Sequence, residues 1–202
     1  MPKIVDHEER RREVLDATWR VIGREGLNAA TVRRIAEEAG HSNGVLAHYF
    51  SNKNDILVSA HQLAYSRARA RIAKATADVE GLEALRRAIH EALPLDDERL
   101  LEAHVDVSFL GLTVGDPHLR EVRRASGEIS RVRWRSYVER AQELGEIDLS
   151  VDPDHVVDDV MALIESLSIG AIITPERVTV EHQLAQTERL LDRITRHDLP
   201  AG

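Results

Sequence analysis

Small and polar residues cluster within one short segment, 31–53, and their types suit contact with a polar partner. Asn43 and His48 carry hydrogen-bonding groups that match the base edges of nucleic acids. Gly44 has no side chain, so the backbone could approach a partner closely there. With Ala47, these residues form the outward positions of a short helix. They predict a surface that could enter the major groove of DNA.

The same segment predicts the two helices that would position these residues. Val32, Ile35, Ala36 and Ala39 recur with helical spacing, between a capping Thr31 and a terminating Gly40. Ser42 can cap the second helix, whose inward residues are Val45, Leu46, Tyr49 and Phe50. No alternating strands flank Asn43-Gly44, which excludes a β-hairpin. A helical corner used only for packing remains an alternative.

The spacing of eleven residues resembles the DNA-binding domain of TetR-type repressors. The pattern T-x-x-x-I-A-x-x-A-G, followed by S-x-G-x-x-x-x-Y-F-x-x-K-x-x-[IL], is carried by Thr31, Ile35, Ala36, Ala39, Gly40, Ser42, Gly44, Tyr49, Phe50, Lys53 and Ile56. Two positions depart from the family: His41 stands where a small aliphatic residue is usual, and Ala47 where an aromatic is common. The string AHYF at 47–50 is most similar to the choline-responsive betaine-pathway repressors of that family.

This resemblance implies a homodimeric, ligand-responsive repressor that binds a palindromic DNA operator. Base edges would be read by Asn43, Val45 and His48, with close backbone approach at Gly44. Phosphates would be held by the remaining candidates, which are Thr31, Arg33, Arg34, Tyr49 and Lys53.

Composition sets the background for this hypothesis. The net charge of −8 divides unevenly, because residues 1–54 hold nine Lys/Arg against eight Asp/Glu and residues 55–202 carry the acidic excess. The absence of cysteine excludes disulfides and is typical of a reducing compartment. No apolar run is long enough for a membrane span, so we expect a cytoplasmic protein with no membrane partner.

Helical periodicity throughout the chain predicts an all-α fold with two domains. A DNA-binding domain is expected at 8–68, including the helix-turn-helix at 31–50 and the first half of a long linking helix that begins after Asn52. A larger helical domain for ligand binding and dimerisation is expected at 69–202. Its predicted helices are 82–93, 97–114, 118–144, 153–173 and 180–195, and 196–202 should form a loose tail.

The helix 153–173 is apolar around much of its circumference, which suits both a core and a partner. Its main stripe is Val157, Val160, Ile164, Leu167 and Ala171. We expect 153–173 and 180–195 to form the dimer interface, with Leu167 in that interface. The alternative is a central helix of one large bundle.

Aromatic residues are few in the larger domain, and Trp134 and Tyr137 share a helix face. With Phe109 they could line a pocket for an unidentified small-molecule effector, although Trp134 could equally be core. No catalytic, metal-binding or phosphate-loop motif is present, so no cofactor is expected. An enzyme with an accessory helix-turn-helix is the alternative function.

Overall fold

The computed structural model describes residues 3–195, with side chains from Glu9 onward. The tail predicted at 196–202 lies outside the described residues. Nine α-helices and no strand occur within 3–195, together with a short 3-10 turn at Leu27–Ala29. The helices are α1 (Lys3–Glu25), α2 (Val32–Ala39), α3 (Asn43–Ala47), α4 (Lys53–Ala75), α5 (Gly81–Ala92), α6 (Asp97–Thr113), α7 (Pro117–Glu143), α8 (Pro153–Ile173) and α9 (Val180–Thr195).

The all-α prediction is confirmed, and several helix ends lie where the sequence placed them. Asp152 caps α8 by accepting a hydrogen bond from the backbone N–H of Asp154 at 2.9 Å, with Pro153 at the first helical position. The main difference is α3, which ends at Ala47 rather than Phe50. There the N–H groups of His48 and Tyr49 bond carbonyls three residues back, so the chain tightens out of α-helical geometry.

The first compact unit comprises the described residues up to Ser66 together with His104–Arg123. Within it α1 packs against α2, and the ring nitrogen of Trp19 donates to the carbonyl of Ala60 on α4 at 3.2 Å. Buried apolar side chains from α1 to α4 form its core, among them Val14, Ile22, Ile35, Leu46, Phe50 and Ile56. This core holds α2 and α3 in place. The predicted domain division at 68 stays a prediction.

The second compact unit comprises Arg67–Ala103 and the described residues from Arg124 onward. Its core is drawn from α5, α7, α8 and α9 and includes Leu85, Ile89, Trp134, Val138, Val156, Val160, Leu167 and Leu191. Leu167 is only 5% exposed. The expectation that Leu167 lies in a dimer interface is therefore wrong, because its side chain packs in the core of its own subunit. No described helix is long and apolar enough to cross a membrane.

Candidate DNA-binding site

The junction between α2 and α3 is built by two side-chain caps and one glycine. The hydroxyl of Thr31 accepts a hydrogen bond from the N–H of Arg34 at 3.2 Å, which fixes the start of α2. Gly40 ends α2 with φ at 71°, a left-handed conformation that favours glycine. The hydroxyl of Ser42 then accepts from the N–H of Val45 at 3.4 Å and starts α3. The local sequence thus sets the angle at which α3 leaves α2.

The outward face of α3 is small, polar and open. Asn43, Gly44, Ala47 and His48 are exposed, whereas Leu46, on the inward side of α3, is buried. A Cβ added at Gly44 would meet no atom closer than the Ser42 hydroxyl at 3.8 Å. Internal packing therefore does not require glycine there, and its absent side chain leaves the backbone accessible to a partner.

Val45 and Tyr49, the other two predicted DNA contacts in this segment, are less accessible than the outward face. The side chains of Val45 and Tyr49 are both half-buried. They lie along the inward side of the segment, as expected from their spacing with Leu46. A contact with DNA at either position would involve only the exposed part of the side chain.

The predicted phosphate-binding cations differ in their surroundings. Arg33 is 81% exposed and, among the described side chains, forms an ion pair with the exposed Glu37 at 2.9 Å. Arg34 pairs with both Glu25 at 2.6 Å and Glu38 at 3.1 Å, and these carboxylates raise its pKa. The ammonium of Lys53 donates to the carbonyl of Leu27 at 3.3 Å, in the 3-10 turn between α1 and α2.

Glu38 is the centre of this charge cluster. Its carboxylate accepts from Arg20 at 2.9 Å and from Arg24 at 2.6 Å, both on α1. The hydrogen bonds from Arg20 and Arg24, with a further contribution from Arg34, lower the pKa of Glu38 to about 2. Glu38 therefore stays ionised at neutral pH and ties α2 to α1.

Two family models match most of the chain. "Bacterial regulatory proteins, tetR family" matches 14–60, and "BetI-type transcriptional repressor, C-terminal" matches 81–196. The regulator PksA of Bacillus subtilis is 32% identical over 179 residues, which cover 88% of this chain and 86% of PksA. The chain belongs to the TetR family. The predicted resemblance, including its betaine-repressor branch, is confirmed.

Solved structures of transcriptional regulators share the fold of this TetR-family protein. A transcriptional regulator from Rhodococcus has a TM-score of 0.81 and 26% identity, covering 91% of this chain and 95% of that one. A regulator from Saccharomonospora viridis, solved in complex with choline, has a TM-score of 0.83 and 24% identity, covering 94% and 97%. The TetR-family protein is a DNA-binding transcriptional regulator. Because its relatives are transcriptional regulators, the alternative of an enzyme with an accessory helix-turn-helix is rejected.

The aromatic residues predicted to bind a ligand belong to different compact units of this TetR-family regulator. In the second unit Trp134 and Tyr137 lie edge to face, with ring centroids 6.2 Å apart, and the Tyr137 hydroxyl lies 3.2 Å from that of Thr76. Trp134 is 5% exposed and belongs to the hydrophobic core. In the first unit Phe109 is 2% exposed. The structure brings Trp134 and Tyr137 together as the sequence predicted.

Phe109 has a buried histidine as its neighbour, which the sequence analysis did not single out. The imidazole of His61, on α4, stacks on the Phe109 ring with centroids 4.2 Å apart and lies 4.7 Å from the Tyr65 ring. His61 is fully buried, and neither ring nitrogen makes a well-aligned hydrogen bond among the described residues. Its Nδ1 lies 3.3 Å from Asp106, which is also bound by Arg123 at 2.6 Å. Residue type alone carried no signal for this pairing, because α4 and α6 are distant in sequence.

Proposed function

We propose that this TetR-family regulator acts as a repressor that reads a palindromic operator through the outward face of α3. The observation that carries the proposal is the row of exposed small and polar residues, Asn43, Gly44, Ala47 and His48, above the buried Leu46. Such a row can follow the floor of a major groove without steric conflict. Asn43, Val45 and His48 would contact base edges.

Phosphate contacts would come from groups around α3. We assign them to Thr31, Tyr49 and Lys53, with one of the two arginines of α2. The surroundings favour Arg33, because its exposed ion pair with Glu37 can be exchanged for a phosphate at little cost. Arg34 would have to leave two carboxylates, Glu25 and Glu38.

Operator selection tests this proposal directly. Full-length protein is used to enrich duplexes from a random-sequence library, and the enriched duplex is compared with a shuffled version of itself. We expect an inverted repeat whose half-sites lie about 34 Å, one helical turn, apart or a multiple of that. Recovery of no motif, with equal affinity for all duplexes, would contradict the proposal.

We also propose that the regulator is a homodimer joined through 153–173 and 180–195. Ala162, Ser166, Ile169 and Ile173 recur on α8 with helical spacing and lie opposite its buried stripe. Ala162, Ser166 and Ile173 are exposed, and Ile169 is half-buried. Small residues followed by isoleucines would allow close approach of a second copy. A palindromic operator requires such a two-fold symmetric pair.

Finally, we propose that a small-molecule effector controls DNA binding. Two candidate contact groups are the predicted pair Trp134 and Tyr137 and, separately, Phe109 with the buried His61. The unmet hydrogen-bonding capacity of His61 supports the second group. The choline complex of the Saccharomonospora regulator makes choline a first compound to test by thermal shift. We further propose that the regulator acts in the cytoplasm, where such an operator would be accessible to it.

A further inference from the structure

Arg11 contacts the recognition segment, which we define as α3 and the turn that follows it (43–50). The contact is made from α1, within the same subunit. From α1, its Nη1 donates to the carbonyl of Tyr49 at 3.3 Å and its Nη2 donates to the hydroxyl of Ser59 at 2.7 Å. Its guanidinium carbon lies 4.8 Å from the centroid of the Phe50 ring. One side chain therefore joins α1, the turn after α3, and α4.

The turn after α3 needs such a contact for a physical reason. A helix of five residues is not stable alone, because too few hydrogen bonds offset the cost of nucleating it. The carbonyls at its end have no partner further along a helix and favour a nearby cation. Arg11 supplies both a hydrogen bond and a positive charge there, and its guanidinium lies over the Phe50 ring.

The neighbouring Arg12 provides a contrast. It carries the same charge on the same helix, but it is exposed, and no hydrogen bond or ion pair joins it to another described side chain. Arg11 is half-buried, and both of its terminal nitrogens are engaged. Charge alone would make the two residues equivalent.

We propose that Arg11 is a positioning residue that holds the recognition segment against α1 and α4, and that it does not contact a phosphate. The inference rests on the proposed function of α3. This role predicts that loss of the two Arg11 hydrogen bonds weakens binding to the operator without changing the number of phosphates contacted. The lysine variant should not rescue it, because a single ammonium cannot reproduce two divergent hydrogen bonds together with the contact between the guanidinium and the Phe50 ring.

The experiment compares R11A, R11K and the matched control R12A in the full chain. The probes are the duplex enriched by wild-type protein and a shuffled duplex, each titrated over a series of salt concentrations. We expect R11A and R11K to bind the enriched duplex about tenfold more weakly, with the wild-type salt slope. R12A should keep the affinity ratio between the two duplexes. A phosphate contact would instead lower the salt slope by about one unit in R11A and leave R11K close to wild type.

Hydrogen exchange in the absence of DNA provides an independent readout. The N–H groups of Tyr49 and Phe50 both bond the carbonyl of Leu46, so a loosened turn should expose them. We expect faster exchange for these amides in R11K, with no change for the Ile35 amide in α2. Unchanged exchange at Tyr49 and Phe50 in a folded R11K would overturn the positioning role. If wild-type protein binds no duplex, the proposed function fails, and exchange alone still decides the role of Arg11.

Discussion

At the scale of single residues, the two neighbouring arginines of α2 illustrate how surroundings divide identical side chains between different tasks. Arg33 extends into solvent beside the exposed Glu37, whereas Arg34 is held by Glu25 and Glu38. A cation bound to two carboxylates contributes little net positive charge to a DNA-binding surface. We therefore expect Arg34 to support the position of α2 and Arg33 to contribute to DNA affinity.

His48 and Lys53 should affect DNA binding in different ways. Lys53→Ala should weaken binding to all duplexes and reduce the salt slope by about one unit for each lost phosphate contact. His48→Ala should narrow the difference in affinity between the enriched duplex and the shuffled one, because base contacts carry sequence information. Fluorescence anisotropy over a salt series measures both quantities. Identical behaviour of the two variants on both duplexes would show that this division is wrong.

The charge cluster around Glu38 predicts an acid-dependent loss of stability. Because Arg20, Arg24 and Arg34 lower the pKa of Glu38 from its ordinary value of 4.5 to about 2, ionised Glu38 stabilises the fold at neutral pH. This contribution is fully present above pH 4.5 and is lost as the pH falls toward about 2. Glu38→Gln should lower the urea midpoint at pH 7, and the difference from wild type should shrink in that acidic range.

Glu37→Gln is the matched control for this prediction. Glu37 is the preceding residue on α2, and its ion pair with Arg33 is exposed. Because exposed pairs contribute little to stability, its urea midpoint at pH 7 should stay close to that of wild type. Equal midpoints for the two variants would mean that the Glu38 cluster does not hold α2 to α1.

At the scale of helices, α8 has two apolar faces, one buried and one largely exposed. The stripe that includes Val160 and Leu167 is buried within the second compact unit. The opposite stripe ends at Ile173, which is 69% exposed. Hydrophobic side chains on both faces explain why this helix has no single polar side.

The exposed stripe predicts how the proposed dimer can be disrupted without unfolding the subunit. Ile173→Asp should shift the protein toward monomer, since it would place a charge in an apolar interface. Leu149→Asp is the control, because Leu149 is 80% exposed and lies outside α8 and α9. Light scattering at micromolar concentration measures the outcome. A wild-type monomer, or a dimer unaffected by Ile173→Asp, would contradict the proposed interface.

At the scale of the whole molecule, effector response requires a ligand that distinguishes two forms of the protein. Moving most molecules from one form to the other requires about a 10⁴-fold difference in affinity. A compound that binds both forms equally would leave the operator occupied.

The net charge of −8, with its acidic excess after residue 54, keeps most of the negative charge outside the helix-turn-helix sequence.

Trp134 tests whether the predicted aromatic pair serves packing or ligand binding. Its burial among core residues predicts that Trp134→Ala lowers the free energy of unfolding by roughly 3–5 kcal/mol. Tyr137→Phe removes only the hydroxyl near Thr76 and should leave the fold intact. Urea unfolding measures the stability of both variants, and thermal shift with an identified effector measures their response to the effector. A stable Trp134→Ala protein that loses effector response would instead identify Trp134 as a ligand contact.

The sequence alone determined the features that depend on neighbours along the chain. Thr31, Gly40 and Ser42 gave the helix-turn-helix, and Asp152-Pro153 gave the start of α8, because capping and helical periodicity act over only a few residues. Tertiary structure decided which apolar face of α8 became core, and therefore where Leu167 lies. It also decided that Arg11 reaches Tyr49 and that Phe109 stacks on His61. A long side chain selects its partners only after distant helices have packed, so its sequence neighbours cannot identify them.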